Sequence, residues 1–187
     1  MLLSLTLERA LRWAATCHQG QVRRGSNAPY VEHLVGVAWM LDRLGYPEHV
    51  VIAGLLHDVV EDTPATLAEV EASFGADVAA IVGHCSEVKL DEAGAQRPWA
   101  DRKRDHLAAL TLAPAEARAV ALADKVHNLL SIALDLREGR DVWSQFHADR
   151  ARVLAYYLEA IRTLGSGDAR LSKLSAEATE LLALIGD

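Results

Sequence analysis

The sequence predicts an all-α fold packed around a helix that carries a histidine and three carboxylates in an apolar setting. Three observations lead there. Apolar residues recur at helical spacing through most of the 187 residues. No segment alternates convincingly between apolar and polar residues as a half-buried strand would. The punctuation is that of helices: Pro47, Pro98 and Pro114 stand near predicted starts, and Gly45, Gly75, Gly139 and Gly165 near predicted ends.

Taken in order, the spacing predicts helices over 5–18, 30–44, 48–60, 66–74, 76–86, 98–112, 115–137, 143–163 and 170–185. The opening "MLLSLTLERALRWAA" is apolar but lacks a basic leading segment and is interrupted by Glu8 and Arg9. It reads as an amphipathic first helix and not as a secretion signal. Residues 20–29, "GQVRRGSNAP", are basic and rich in turn formers, so they read as a loop. "TLAE" at Thr66–Glu69 is a capping box that starts the fourth helix. A second basic stretch, "RPWADRKR", spans 97–104. The helix at 170–185 reads as a packing element or an oligomer contact. Neither a repeat, a low-complexity tract nor a linker stands out, so 1–187 reads as one domain with a sizeable core.

Composition narrows the function classes. Lys+Arg number 19 against 26 Asp+Glu, a net charge of −7, which argues against a nucleic-acid partner. A small anionic ligand held by a local basic cluster remains compatible with that balance. No apolar stretch approaches the ~20 residues that span a bilayer, so no membrane partner is expected. Cys17 and Cys85 form neither a disulfide framework nor a CxxC pair, and a reducing cytoplasm is the simplest setting.

The chemistry sits in "LLHDVVEDT", residues 55–63. His57 and Asp58 interrupt an apolar run, and Glu61 and Asp62 follow one turn later. On a continuous helix His57 shares a face with Glu61, and Asp58 with Asp62. Imidazole plus carboxylate is a first-row metal donor set. Two ligands are too few, and two further candidates lie elsewhere: His33 in "PYVEHLVGVA" and Asp124 in "ALADKVHNLL". Two histidines and two aspartates would hold a divalent ion with positions open to water, and such an ion makes water a nucleophile near neutral pH. Plainer readings exist for each residue alone. His33 suits a core histidine, Asp124 an ion pair with Lys125 or a polar face with Asn128, and Glu61 and Asp62 a solvated helix end. Acids at a helix C-terminus oppose the macrodipole, however.

The segments "HQGQVRRGSNAPYVEHLVGVA" at 18–38, "AGLLHDVVEDTPATLAEVEASFGADVAAIV" at 53–82 and "ALADKVHNL" at 121–129 resemble the HD phosphohydrolases. Within them, the likeness is to the (p)ppGpp hydrolase domain of RelA/SpoT-type proteins and their small standalone bacterial relatives. "RPWADRKRDHLAAL" at 97–110 and the aromatic pattern of Trp143, Phe146, Tyr156 and Tyr157 look similar too, and the resemblance covers roughly residues 7–164. It implies that His33, His57, Asp58 and Asp124 are metal ligands, with manganese the usual ion and zinc, iron(II) or cobalt as alternatives. It implies that Glu61 and Asp62 position and activate the attacking water. Arg23 and Arg24 match the loop that meets the substrate phosphates, Asn128 a polar residue of the substrate site, and Arg102 and Lys103 further phosphate contacts. The implied activity removes the 3′-pyrophosphate from a guanosine alarmone. Alternatives are the same machinery on another nucleotide, as in an HD nucleotidase or an NADPH phosphatase, or a sensor that binds nucleotide without turnover. Intact Glu61 and Asp62 count against the sensor. The chain leaves no room for the synthetase and regulatory domains of long RelA/SpoT proteins.

Overall fold

The structure is a computed structural model that describes residues 3–146, 148–167 and 169–186. Among these residues it contains ten α-helices, one 3-10 turn and no strand. Two isolated bridges, Val22 with Pro29 and Leu90 with Gln96, pinch loops together. The chain forms two compact units, the first ending at Ser86 and the second beginning at Glu87.

The first unit holds α1 (Leu5–Cys17), α2 (Val31–Arg43), α3 (Glu48–Leu56), α4 (Val59–Asp62), α5 (Leu67–Phe74) and α6 (Ala76–Cys85). Helix α3 is its hub, with α1, α2 and α6 packed against it. Every residue from Val50 to Leu56 is buried, as befits a helix that is apolar all round. Gly54 allows α2 to approach α3 closely: a Cβ there would stand 2.6 Å from Leu41 Cδ1 and 3.4 Å from the Ala38 backbone. The capping box forms as expected. The Thr66 backbone N–H donates to Glu69 Oε2 at 2.8 Å, and the Glu69 N–H to Thr66 Oγ1 at 3.3 Å.

One predicted helix breaks. The apolar period predicts an unbroken helix over 48–60, but α3 ends at Leu56 and α4 begins at Val59. Asp58 adopts φ −100° and ψ −6° between them, a backbone region that active-site residues often occupy. The hydrogen bond from the Asp62 N–H to the Asp58 carbonyl survives at 2.9 Å, so one helical turn still joins the two acids. Apolar spacing is blind to so local a change in the backbone.

The second unit holds α7 (Trp99–Thr111), α8 (Ala115–Arg137), a 3-10 turn (Trp143–Gln145), α9 (Arg150–Leu164) and α10 (Ala169–Gly186). The predicted helix over 143–163 is therefore shorter. Asp149 caps α9 by accepting the Arg152 N–H at 2.9 Å, and a side-chain cap at that point starts a new helix. The C-terminal helix packs: α10 lies along α8 and α9 and buries Leu171, Leu174, Ala178, Leu181 and Ile185 at helical spacing. Each large aliphatic in such a stripe contributes about 1.5–3 kcal/mol by leaving water. Gly165 sits at a helix end for close approach and not for a left-handed turn: its φ is −76°, and a Cβ there would meet Ser175 Oγ at 2.5 Å. No helix among the described residues is long and apolar enough to cross a membrane.

Candidate functional site

Two neighbours at the junction of α3 and α4 and one residue of α2 meet at one point. His57 Nε2 lies 3.0 Å from Asp58 Oδ2, and His33 Nε2, from the first turn of α2, lies 3.5 Å from the same oxygen. The rings of His33 and His57 meet edge to face at 5.2 Å. Both histidines are buried, at 1% and 3% exposure, while the Asp58 side chain keeps 17%. One ligand atom from each of His33, His57 and Asp58 falls within 4.8 Å of the others.

The chemistry of this donor set fits a cation. His57 Nδ1 stands 2.8 Å from the Gly54 carbonyl oxygen. A carbonyl only accepts, so Nδ1 carries the hydrogen and donates it. The other nitrogen, Nε2, then carries the lone pair, an arrangement typical of metal-binding histidines. A lone pair and a carboxylate oxygen at 3.0 Å repel unless positive charge lies between them. A proton on the ring would satisfy one such contact. A divalent ion satisfies both imidazoles and the carboxylate at once, and mixed nitrogen and oxygen donors suit a first-row metal.

The remaining first-unit candidates lie on α4 and in the loop before α2. Glu61 and Asp62 lie on α4, one turn beyond Asp58; Glu61 is half-buried and Asp62 exposed. Arg23 and Arg24 lie in the loop before α2, where the Arg23 N–H donates to the Ala28 carbonyl at 2.8 Å and the Val22–Pro29 bridge closes the turn. The Arg23 guanidinium stands 5.7 Å from the Tyr30 ring centre. Tyr30 Oη donates to Asp58 Oδ2 at 2.7 Å and lies 3.4 Å from Asp62 Oδ2. Sequence reasoning quoted Tyr30 inside "PYVEH" but gave it no part. Its signal was its spacing from His33, three residues apart at a helix start and so on one face.

In the second unit, Asp124 and Asn128 occupy one face of α8. Asn128 Nδ2 donates to Asp124 Oδ1 at 2.5 Å, and Lys125 Nζ reaches Asp124 Oδ2 at 2.5 Å. Lys125 is buried. Burial opposes its charge, but Asp124 above all, with help from Tyr156 and Tyr157, holds its pKa well above the ordinary lysine value. The ion pair, the plainer reading of Asp124, is thus present, and an ion pair does not preclude metal ligation by the same carboxylate.

Arg102 and Lys103 converge on a residue the sequence did not single out. Arg102 Nη1 donates to Glu87 Oε2 at 2.6 Å, Lys103 Nζ lies 2.8 Å from Glu87 Oε1, and His106 Nδ1 lies 3.9 Å from that oxygen. The Glu87 side chain is 2% exposed. Burial pushes its pKa up, but Lys103, Arg102 and His106 more than offset this and hold it below the usual glutamate value. Lys103 also stands 5.4 Å from the Tyr156 ring, whose edge meets Trp99. Glu87 lies in "SEVK", where no motif marks it; only the i to i+4 run of cations on α7 hints that an acid must answer them.

Residues 10–154 match the family described as HD domain. MESH1 of Drosophila melanogaster, a guanosine-3′,5′-bis(diphosphate) 3′-pyrophosphohydrolase, is 34% identical over 148 residues, which is 78% of this chain and 78% of MESH1. A GTP pyrophosphokinase of Myxococcus xanthus is 33% identical over 129 residues, 67% of this chain but only 17% of that protein. The chain thus spans about a sixth of the length of such long relatives. A solved metazoan orthologue of SpoT, described as hydrolysing ppGpp, matches with a TM-score of 0.79 over 97% of both chains at 27% identity. The chain belongs to the HD domain family and, within it, to the group of its SpoT- and MESH1-like relatives.

Proposed function

We propose that this chain is a divalent-metal-dependent hydrolase that removes pyrophosphate from the 3′ position of guanosine 3′,5′-bis(diphosphate). The observation that carries the reading is the convergence of His33 Nε2, His57 Nε2 and Asp58 Oδ2 on one point, with Glu61 and Asp62 one turn away. His33, His57 and Asp58 would hold the ion. Asp124 is proposed as a further ligand on the strength of the "ADKVHN" stretch. When bound, the ion supplies Lewis acidity and makes water acidic enough to attack near neutral pH. Manganese is the proposed ion, in keeping with the resemblance and with the mixed donor set.

The chain's own residues would divide the remaining work. Glu61 takes the proton from the attacking water, and Asp62 orients that water. The water oxygen forms a bond to the phosphorus esterified at the 3′ oxygen. The bond from that phosphorus to the 3′ oxygen breaks, its electron pair leaves with the 3′ oxygen, and that oxygen takes up a proton. The products are a 5′-diphosphate with a free 3′-hydroxyl, and pyrophosphate. Arg23 and Arg24 hold the multiply charged phosphates by charge-assisted bonds, with Arg102, Lys103 and Asn128 as further contacts. The family match runs from residue 10 to 154, across the boundary of the two compact units, which supports treating them as one catalytic domain. A reducing cytoplasm is the proposed setting for a chain whose two cysteines, Cys17 and Cys85, form neither a framework nor a CxxC pair.

A substrate panel with manganese decides the matter. Guanosine 3′,5′-bis(diphosphate) should yield pyrophosphate and GDP. Orthophosphate released from NADPH or from another nucleotide, with the alarmone untouched, would give the site to a nucleotide phosphatase instead.

A further inference from the structure

Tyr30 stands where the basic loop meets the metal-ligand cluster, and each end of its side chain is engaged. Its hydroxyl has one hydrogen, and at 2.7 Å that hydrogen goes to Asp58 Oδ2, the oxygen on which both imidazole Nε2 atoms converge. Its ring stacks on His18 at 4.9 Å and 14°, and the Arg23 guanidinium lies 5.7 Å from its centre. Three further contacts stitch the loop to the acidic turn. His18 Nδ1 lies 2.5 Å from Gln21 Oε1, the Gln21 side-chain amide donates to the Asp62 carbonyl at 2.9 Å, and the Tyr30 N–H donates to the Gln21 carbonyl at 2.9 Å. His18 is 3% exposed, so the stack is a packed one.

A carboxylate on a short side chain can rotate, and a ligand oxygen that must meet an ion at one point gains affinity when a neighbour fixes it. Groups that hold a metal ligand in place typically contribute 10- to 100-fold in metal affinity. A cation over an aromatic face is likewise held by the ring. We propose that Tyr30 is a positioning residue with two separable functions: its hydroxyl orients Asp58 for the metal, and its ring holds Arg23 for the substrate phosphates. This rests on the metal-hydrolase reading.

Two variants separate the functions. Tyr30→Phe keeps the ring and loses the hydroxyl; Tyr30→Leu loses both. Mn2+ affinity is measured by titration calorimetry on metal-free protein, KM and kcat at saturating Mn2+, and the melting temperature without metal. Tyr30→Phe should bind Mn2+ about 10- to 100-fold more weakly, with KM within twofold of wild type. Tyr30→Leu should lose metal affinity to the same extent and raise KM by about two- to fivefold beyond Tyr30→Phe. Wild-type protein that takes up no Mn2+ overturns the metal reading, and this proposal with it. Wild type that binds Mn2+ no more tightly than Tyr30→Phe overturns the hydroxyl's function while leaving the metal reading intact. Equal KM in the two variants overturns the ring's. A Tyr30→Phe protein that melts lower without metal yet binds Mn2+ normally would mean that Tyr30 is packing alone, and the proposal fails.

Discussion

At Asp58 a mostly buried carboxylate faces two imidazoles and a phenol; at Glu87 a buried carboxylate faces an arginine, a lysine and a histidine. His33, His57 and Tyr30 bring no fixed positive charge to the first cluster. Arg102 and Lys103 bring two to the second. A buried carboxylate needs a counter-charge, and the two regions meet that need differently. The second cluster draws its cations from α7, with Arg102 and Lys103 both on Glu87. In the first, the His57 Nε2 lone pair faces the Asp58 carboxylate, an arrangement that a bound cation would favour. The difference teaches that a donor set suited to an ion is told from a cluster that already holds cations by counting which side chains bring charge, not by counting acids.

The comparison breaks most easily at the ligands. His57→Ala or Asp58→Ala should remove bound metal and reduce turnover to background, and full metal occupancy in either variant, by elemental analysis, would end the assignment. Glu61→Gln keeps shape and metal but deletes the proposed base. Metal content should stay near that of wild type while kcat falls about 10²- to 10⁴-fold; a kcat within twofold of wild type would leave Glu61 a solvated helix end.

The second cluster should answer in stability. Glu87→Ala strands Arg102, which is 11% exposed, in a buried setting, at about 3–5 kcal/mol by the usual cost of breaking such a pair. Chemical denaturation reads this. The pH dependence carries a sign as well. The native Glu87 pKa is lowered, so the folded chain binds this proton less readily than the unfolded one. Its stabilising effect is therefore fully present above the ordinary glutamate value of about 4.3 and is lost as pH falls through the lower native value. The stability gap between wild type and Glu87→Gln should shrink through that acid window, and a gap independent of pH there would contradict the charge account.

Smaller effects sharpen the picture. Replacing Arg23 and Arg24 together with Ala should raise KM tenfold or more, since charge-assisted bonds contribute about 1.5–3 kcal/mol each; an unchanged KM returns the pair to a solvated loop. Replacing Cys17 and Cys85 together with Ser should change neither metal content nor kcat. Burial raises the Cys17 thiol pKa, which disfavours the thiolate that a ligand or nucleophile needs. Metal loss in that variant would overturn the ligand set.

The sequence by itself determined the helical class, because apolar spacing and caps are local signals. The Thr66–Glu69 box and the stripe of α10 stand where the pattern put them. It also singled out His33, His57 and Asp58, since ligand-type residues in apolar runs are conspicuous, and the structure brings those three together. Tertiary structure alone decided the rest. The break between Leu56 and Val59 spans only His57 and Asp58, too short to disturb the apolar period. Tyr30 reaches Asp58 across 28 positions, and Glu87 answers Arg102 across 15. Contacts of that range depend on how helices pack, through close approaches such as the one Gly54 permits, and no local pattern encodes them.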